Sequence, residues 1–318
     1  MARTPPAGVA ERDRSLVSPG ALLLPLGAGF GYACGAIAIK RSLSSGISGS
    51  WVNVICNAVM ALFFQWLWLL PGGVISPRLL LAPAVCGFLF FLGQICTFRA
   101  IATGDVSVST PLLGTKVVMV TLFSVFLLGK PLPVSWWGAS VLATLGIAMI
   151  SYTPGGSHRH LAQAVAWSLA AAALFALTDV LVQGWVPRVG YSRFAPVMFG
   201  VMGICSLLHL PVLLHRQGNP TRSDGEGDMA GAALPWLFAG ALLLAVQALG
   251  MYSAIGLYGS AALTNILYGS RCLWSVLLVW LFASLVPDRP VGGDRSAVMF
   301  RRLIGALLLL SAMVLVLR

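Results

Sequence analysis

Apolar residues fill this chain in long blocks rather than on alternating positions or along one helical stripe. Ten blocks lie at approximately 20–40, 51–70, 79–102, 106–129, 134–152, 162–184, 194–214, 232–257, 260–285 and 300–317. Each is near the ~20 residues that carry a helix across the hydrocarbon layer. Turn-forming residues separate them: PGG at 71–73, GD at 104–105, KPLP at 130–133 and TPGGSHRH at 153–160. The longest polar stretch, HRQGNPTRSDGEGD at 215–228, falls between the seventh and eighth blocks. Lipid offers no partners for backbone groups outside helices or closed barrels, so the pattern predicts an all-α integral membrane protein of ten transmembrane helices. Ahead of the first block, residues 1–19 are polar and proline-rich without the apolar core of a signal peptide, and are expected to form a disordered tail.

The blocks repeat. An offset of 155 residues lays TGDVSVSTPLLGTK (103–116) over LYGSAALTNILYGSR (257–271), with Gly104 on Gly259, Gly114 on Gly269 and Lys116 on Arg271. FRAIA (98–102) matches YSAIG (252–256) after a one-residue adjustment, and an offset of 143 puts the first block on the sixth. The difference falls largely on the long 215–228 loop. The chain therefore reads as two five-helix units, 20–152 and 162–318. Five is odd, so two copies in one chain run in opposite directions through the membrane, and inverted repeats with a site at their interface are the recurring design of secondary transporters.

Composition agrees. Of 318 residues, 58% are hydrophobic and 9% charged, with a mean hydropathy of +0.90, whereas a soluble domain carries roughly a quarter charged residues. The formal charge of +11 sits mostly between apolar blocks, where basic flanks anchor helices at anionic headgroups. No nucleic-acid-binding motif accompanies it. All six cysteines lie inside apolar blocks without a CxxC, which reads as small buried residues rather than disulfides or metal ligands. There is no Walker A lysine motif, HExxH, nucleophile elbow or carboxylate cluster, which argues against an enzyme and against ATP-driven transport by this chain alone. No cofactor is expected.

The stretch AIATGDVSVSTPLLGTKVVMVTLFSVFLLGKPLPVSWWGASVLATLGIAMIS (100–151) resembles the drug/metabolite transporter superfamily, specifically its ten-helix EamA-type branch, over nearly the whole chain from about 20 to 317. Where that family usually has glutamate after the glycine, this chain has Lys130 after Gly129, and ASLVPD (283–288) lacks the motif in the second half. The resemblance implies transport of small metabolites or drugs without ATP, usually outward, and a central cavity lined by the fourth and ninth helices. It also implies a cytoplasmic N-terminus in a bacterial-type inner membrane, with the C-terminus on the same side. With that orientation eight basic residues fall on the cytoplasmic side and ten on the other, so the positive-inside bias does not itself set the topology.

Candidate chemistry lies in the charges inside the blocks. Lys116 is about ten residues from either end of its block, roughly 15 Å deep at 1.5 Å per residue, and Arg271 has the matching depth. A central charge costs at least ~2.5–3.5 kcal/mol on the insertion scale, so two at corresponding positions indicate one feature used twice. Three readings are open: a site for carboxylate or phosphate, where arginine supplies a fork and lysine a point charge; a structural ion pair with Asp179; or proton coupling through Lys116 or Asp179. Asp179, the one acid set in an apolar block away from loops, stands some 17 residues into the sixth, nearer one end than the middle, so it pairs with a base such as Arg271 or sits at the interface.

One helical face of the ninth block reads Thr264, Tyr268, Arg271, Ser275, and Asn265 lies beside it; Lys116, Arg271, Tyr268, Thr264 and Asn265 are the candidate substrate ligands. Gln94, Gln247, Tyr32 and Trp274 are candidate cavity lining, although Gln94, Gln247 and Tyr32 read first as ties between helices and Trp274 as core packing. Pro111 is a hinge or a packing kink. Trp66, Trp68, Trp136 and Trp137 sit near block ends as interfacial anchors. His209 reads as structural, and His158 and His160 have no third ligand nearby to suggest a metal. The expectation is a secondary carrier working by alternating access on a small, anionic molecule, coupled to protons or a counter-substrate. An exporter of amino acids or hydrophobic drugs with structural cations is the alternative, and a lipid scramblase or membrane scaffold the alternative of another class.

Overall fold

A computed structural model describes residues 18–45, 47–73, 76–103, 109, 112–129, 131–152, 161–217, 226–281 and 295–317. The expected tail over 1–17, Pro111, Lys130, His158, His160 and the 283–288 segment lie outside them. Among the described residues the chain is helical throughout, with no strand.

Helix α1 (Pro19–Ser44) starts behind Ser18, whose hydroxyl accepts from the Ala21 amide at 3.4 Å; proline at its first turn lacks only an N–H that would have no partner there. Helix α2 (Gly49–Phe63) is capped by Ser48 and tightens into a 3-10 turn over Phe64–Leu69. There follow α3 (Pro77–Thr103), α4 (Lys116–Leu128), α5 (Val134–Ser151), α6 (Leu161–Val189), α7 (Tyr191–Gln217), α8 (Glu226–Tyr258), α9 (Ala261–Tyr268), α10 (Arg271–Leu281) and α11 (Arg295–Leu317). Between α6 and α7 the chain reverses at Gly190 alone; its φ of 83° is a conformation that side-chain-bearing residues resist.

Eight of these elements are long and apolar enough to cross a membrane: α1, α2 with its 3-10 extension, α3, α5, α6, α7, α8 and α11. The fourth and ninth blocks, expected as continuous helices over 106–129 and 260–285, are broken instead. Leu112 and Leu113 are helical, Gly114–Thr115 turn, and α4 resumes at Lys116; α9 ends at Tyr268, Gly269–Ser270 turn, and α10 resumes at Arg271. The breaks match bond for bond. Thr115 N–H reaches Leu112 O at 3.0 Å, as Ser270 N–H reaches Leu267 O at 3.0 Å; Val117 reaches Gly114 O at 3.2 Å, as Cys272 reaches Gly269 O at 3.1 Å. These tight three-residue bonds interrupt the helical ladder without leaving its backbone groups unpaired. A glycine followed by Thr or Ser, one step before the cation, is what the two sites share in sequence.

The helices pack in matched pairings. Helix α1 lies on α8 and α3 on α6; α2 meets α8 and α3 meets α7; α4 rests on α6, while α9 and α10 rest on α1. Helices α2 and α7 touch, as do α5 and α11. Exchanging the first five blocks with the last five carries each of these pairings onto another of the set or onto itself. Two arginines from the second half close helix ends of the first. Arg193 donates to the carbonyls of Trp68 at 3.1 Å and Gly72 at 3.4 Å. Arg301 donates to those of Met149 at 3.1 Å and Tyr152 at 2.6 Å. Each thereby supplies partners to carbonyls that a helix end leaves open.

One large apolar cluster runs from Phe64 and Leu67 through Phe194, Phe199 and Met202 to Ile255 and Tyr268, and a second joins α5 to α11 around Ile147, Ile266 and Leu309. Helix α9 contributes to both, so its broken end lies where they meet. Helices α5 and α11 cross at glycines: a Cβ on Gly146 would stand 2.8 Å from Gly305 O, and one on Gly305 2.8 Å from Gly146 O. Gly146→Ala is therefore expected to cost about 1–3 kcal/mol through overpacking, read as a lower melting temperature in detergent. Gly138→Ala on the same helix, whose Cβ would meet only Leu315 Cδ2 at 3.4 Å, should instead be neutral or stabilising by up to about 1 kcal/mol.

Candidate functional site

Helix α6 presents Asp179 to the bundle interior, 0% exposed. Of the two readings left open for Asp179, the structure takes pairing with a base over an interfacial acid; α6 extends to Val189, which places Asp179 inside the element. Its Oδ2 lies 2.7 Å from Lys116 Nζ and accepts a hydrogen bond from Asn265 Nδ2 at 2.7 Å. The partner is thus the lysine, and Arg271 takes no part in the pair. Asn265 also donates to Ala261 O at 2.9 Å, so one amide ties the carboxylate to α9. Phe175, one helical turn before Asp179, places its ring centre 5.8 Å from the ammonium. The other carboxylate oxygen, Oδ1, is buried without a hydrogen-bond partner.

Arg271 stands differently. Its guanidinium carbon lies 4.7 Å from the ring centre of Tyr268 and 5.0 Å from that of Tyr32, and the two rings meet edge to face at 6.1 Å. Such contacts favour a desolvated cation by up to ~2 kcal/mol, but they do not cancel its charge. Among the described residues no carboxylate pairs with it. The Tyr268 hydroxyl donates to Gln247 Oε1, which fixes the ring against the guanidinium. Lys116, Asn265, Tyr268 and Arg271 line one cavity together with Leu113, Val117, Ile147 and Gly269, about 250 Å³ counted to its open mouth.

Both cations are the first residues of their helices. A helix N-terminus carries about half a positive charge and favours anions, so a lysine and an arginine there add to the positive field instead of relieving it. At Lys116 the field is answered by Asp179. At Arg271, among the described residues, it meets the rings of Tyr32 and Tyr268 and no carboxylate. Two cations against one carboxylate leave a single positive charge at the cavity.

The remaining candidates separate cleanly. Tyr32 and Gln247 belong to the arginine's surroundings. Thr264 does not reach the cavity; its hydroxyl donates to Ser260 O at 2.8 Å and stays 2% exposed. The expected face of Thr264, Tyr268, Arg271 and Ser275 fails because the turn at Gly269–Ser270 resets the helical phase. Gln94 sits in another cluster, exchanging bonds of 2.7 and 2.9 Å with Asn57, which also donates to Ser206 at 3.1 Å. Trp274 packs edge-on against Phe30 at 5.3 Å and does not line the cavity. His209 lies beside Phe91, ring centres 5.9 Å apart. Phe175 and Gln183 were not among the sequence candidates. Gln183 Oε1 accepts from the first amide of α9, Ala261, at 2.8 Å, a capping role that only tertiary packing reveals. Among the described residues no group of three His, Cys, Asp or Glu is placed to hold a metal ion.

Residues 18–152, the first of the two five-block stretches, match the family model of the EamA-like transporter family. With its long apolar helices, this makes it a multi-pass membrane protein. A solved crystal structure, described only as a protein, matches over 93% of this chain and 97% of its own, with a TM-score of 0.69 and 14% sequence identity; at that identity the likeness is one of fold. No curated protein matches the chain.

Removing one partner of a buried ion pair leaves an uncompensated charge, at a cost of about 3–5 kcal/mol. Asp179→Asn is expected to lower stability by that order in a detergent melt. The charge-free double variant Lys116→Met/Asp179→Leu should recover most of the loss, because the uncompensated ammonium goes with the carboxylate.

Proposed function

We propose that this chain belongs to the drug/metabolite transporter superfamily and is a secondary carrier for a small metabolite bearing a carboxylate or phosphate group, bound at the cavity between Lys116 and Arg271. The observation that carries the reading is Arg271: a guanidinium sunk between two tyrosine rings, at a helix start, with no carboxylate partner among the described residues. A cation deep in an apolar block is costly unless it has work to do, and a guanidinium fork is matched in shape to a carboxylate or phosphate. Tyr268, held by Gln247, orients the group, and Asn265 borders it from α9.

The transport cycle on this reading is alternating access between inverted five-helix repeats, 20–152 and 162–318, rocking about the midplane site. The matched helix breaks and the paired packing of α1 on α8 with α3 on α6 support it. Irregular backbone at membrane depth survives only where it lines a cavity, which is where both breaks stand. We place the protein in a bacterial-type inner membrane with both termini cytoplasmic. The second reading, an exporter of amino acids or hydrophobic drugs whose cations are structural, draws its support from Lys116, already neutralised by Asp179.

The test combines transport with ligand-dependent melting. In proteoliposomes, Arg271→Gln is expected to abolish movement of a carboxylated or phosphorylated substrate while the protein stays folded, and Lys116→Gln to impair it. In detergent, anionic metabolites should raise the melting temperature of the wild type, by about 2.7 kcal/mol of added stability at a hundredfold excess over Kd, and lose that effect in Arg271→Gln. If cationic or neutral compounds stabilise wild type and variant alike, the anion reading is wrong.

A further inference from the structure

Tyr32 and Phe175 occupy the same place in the two halves. The 143-residue offset that lays the first block on the sixth puts Tyr32 on Phe175 and Ala36 on Asp179. Burial supports the register over the first part of the helices: six buried positions of α1, from Ala21 to Gly35, map onto buried positions of α6, from Ala164 to Thr178, and beyond Gly35 the match ends, with Ala36 half-buried where Asp179 is buried. The cations agree as well. Phe175 lies under Lys116 and Tyr32 under Arg271, and Lys116 corresponds to Arg271 at the 155-residue offset.

Each break therefore carries the same half-site, built across the two halves: a cation from one half over an aromatic ring of the other, one turn from a fixed helix position. At Lys116 that position holds Asp179, and the charge is answered at 2.7 Å. At Arg271 it holds Ala36. Helix α1 is close to this break: a Cβ on Gly29 would stand 2.7 Å from Ser270 Oγ and 3.1 Å from the Arg271 amide nitrogen. Gly29, Tyr32 and Ala36 are spaced i, i+3, i+7 and share one helical face, as do Ala172, Phe175 and Asp179.

We infer that the binding site is a vacant counter-ion position: the half-site at Arg271 takes one carboxylate from the substrate, beside Ala36, in the place that the protein's own Asp179 fills at Lys116. This rests on the carrier reading above and narrows it. Lys116 is not a substrate ligand but the filled half-site, and one remaining positive charge matches a single carboxylate, not a dianion.

The test installs the missing carboxylate. Ala36→Asp and its uncharged counterpart Ala36→Asn are compared in detergent melts, each with Arg271 intact and with Arg271→Gln. With Arg271 present, Ala36→Asp should melt above Ala36→Asn by about 2–4 °C or more, the shift expected per kcal/mol in chains of 150–250 residues. With Arg271→Gln the order should reverse, since the new carboxylate then stands in the bundle without a cation partner. Sodium propionate should raise the melting temperature of wild type and of Ala36→Asn but not of Ala36→Asp, and sodium succinate should do no better than propionate. If Ala36→Asp melts no higher than Ala36→Asn, fails to fold where Ala36→Asn folds, or keeps its advantage without Arg271, the vacancy is overturned. A larger shift with succinate than with propionate overturns the count of one carboxylate. Should the Asp–Asn difference hold while no carboxylated or phosphorylated compound stabilises the wild type, the half-site stands and the anion-carrier reading fails. The reverse pattern fails the half-site alone.

Discussion

Asp179 Oδ2 is the point on which the interior of this bundle is organised. It receives the Lys116 ammonium from α4 and the Asn265 amide from α9, each at 2.7 Å, so a single carboxylate oxygen draws α4, α6 and α9 together. Those helices come from both halves of the chain. In water such a pair contributes little, but inside a membrane neither partner has an alternative. The pair does not fasten the bundle as a hydrophobic contact would; it makes every arrangement that separates the three helices expensive.

That constraint also explains why the chain tolerates two broken helices. Unpaired backbone cannot face lipid, so a break must be both buried and internally bonded. Gly114–Thr115 and Gly269–Ser270 meet the second condition with short three-residue bonds. Packing meets the first, for α1 and α6 cover the breaks of the opposite half. The cation that follows each break then stands at membrane depth with its helix dipole behind it, a location that raises its energy unless an anion is near. Fold and site are one device in this sense, because the interruption that endangers the helix is what concentrates positive charge at the cavity.

Much of this was legible in the sequence. The all-helical membrane fold and eight of the apolar blocks as spans follow from hydropathy alone, and Tyr268 and Asn265, named as candidates with the arginine, line one cavity with it. What failed did so where helical phase was carried across an interruption. Thr264 shares a face with Arg271 only if the ninth block is one helix; the turn at Gly269–Ser270 rotates it away. Two of the ten blocks fall short as spans for the same reason. The reading of Asp179 near a helix end took its block to stop at 184, whereas the helix runs through Gly184, Pro187 and Arg188 to Val189. Which base it would take was beyond sequence, since Lys116 and Arg271 are both polar intruders at equal depth. Gln94 and Gln247 look alike on paper, and only packing assigns one to Asn57 and the other to Tyr268.

On the proposed inverted repeat, the two halves agree in architecture and diverge in chemistry. The turn at the break, the cation after it and the aromatic beneath it are kept, while Leu113 faces Tyr268, Lys116 faces Arg271, Phe175 faces Tyr32 and Asp179 faces Ala36 across the offsets. Each change moves in the same direction. The second half-site gains a hydroxyl at two rings, trades a point charge for a planar fork, and loses its internal anion. A carrier whose halves exchange roles during transport must remain nearly symmetric in packing, because each half has to stabilise either access state. A binding site needs direction, because a ligand held equally at two mirrored places is held specifically at neither. Four substitutions at corresponding positions supply that direction without disturbing the shared frame, which leaves Arg271 as the one interior charge that the described protein itself does not answer.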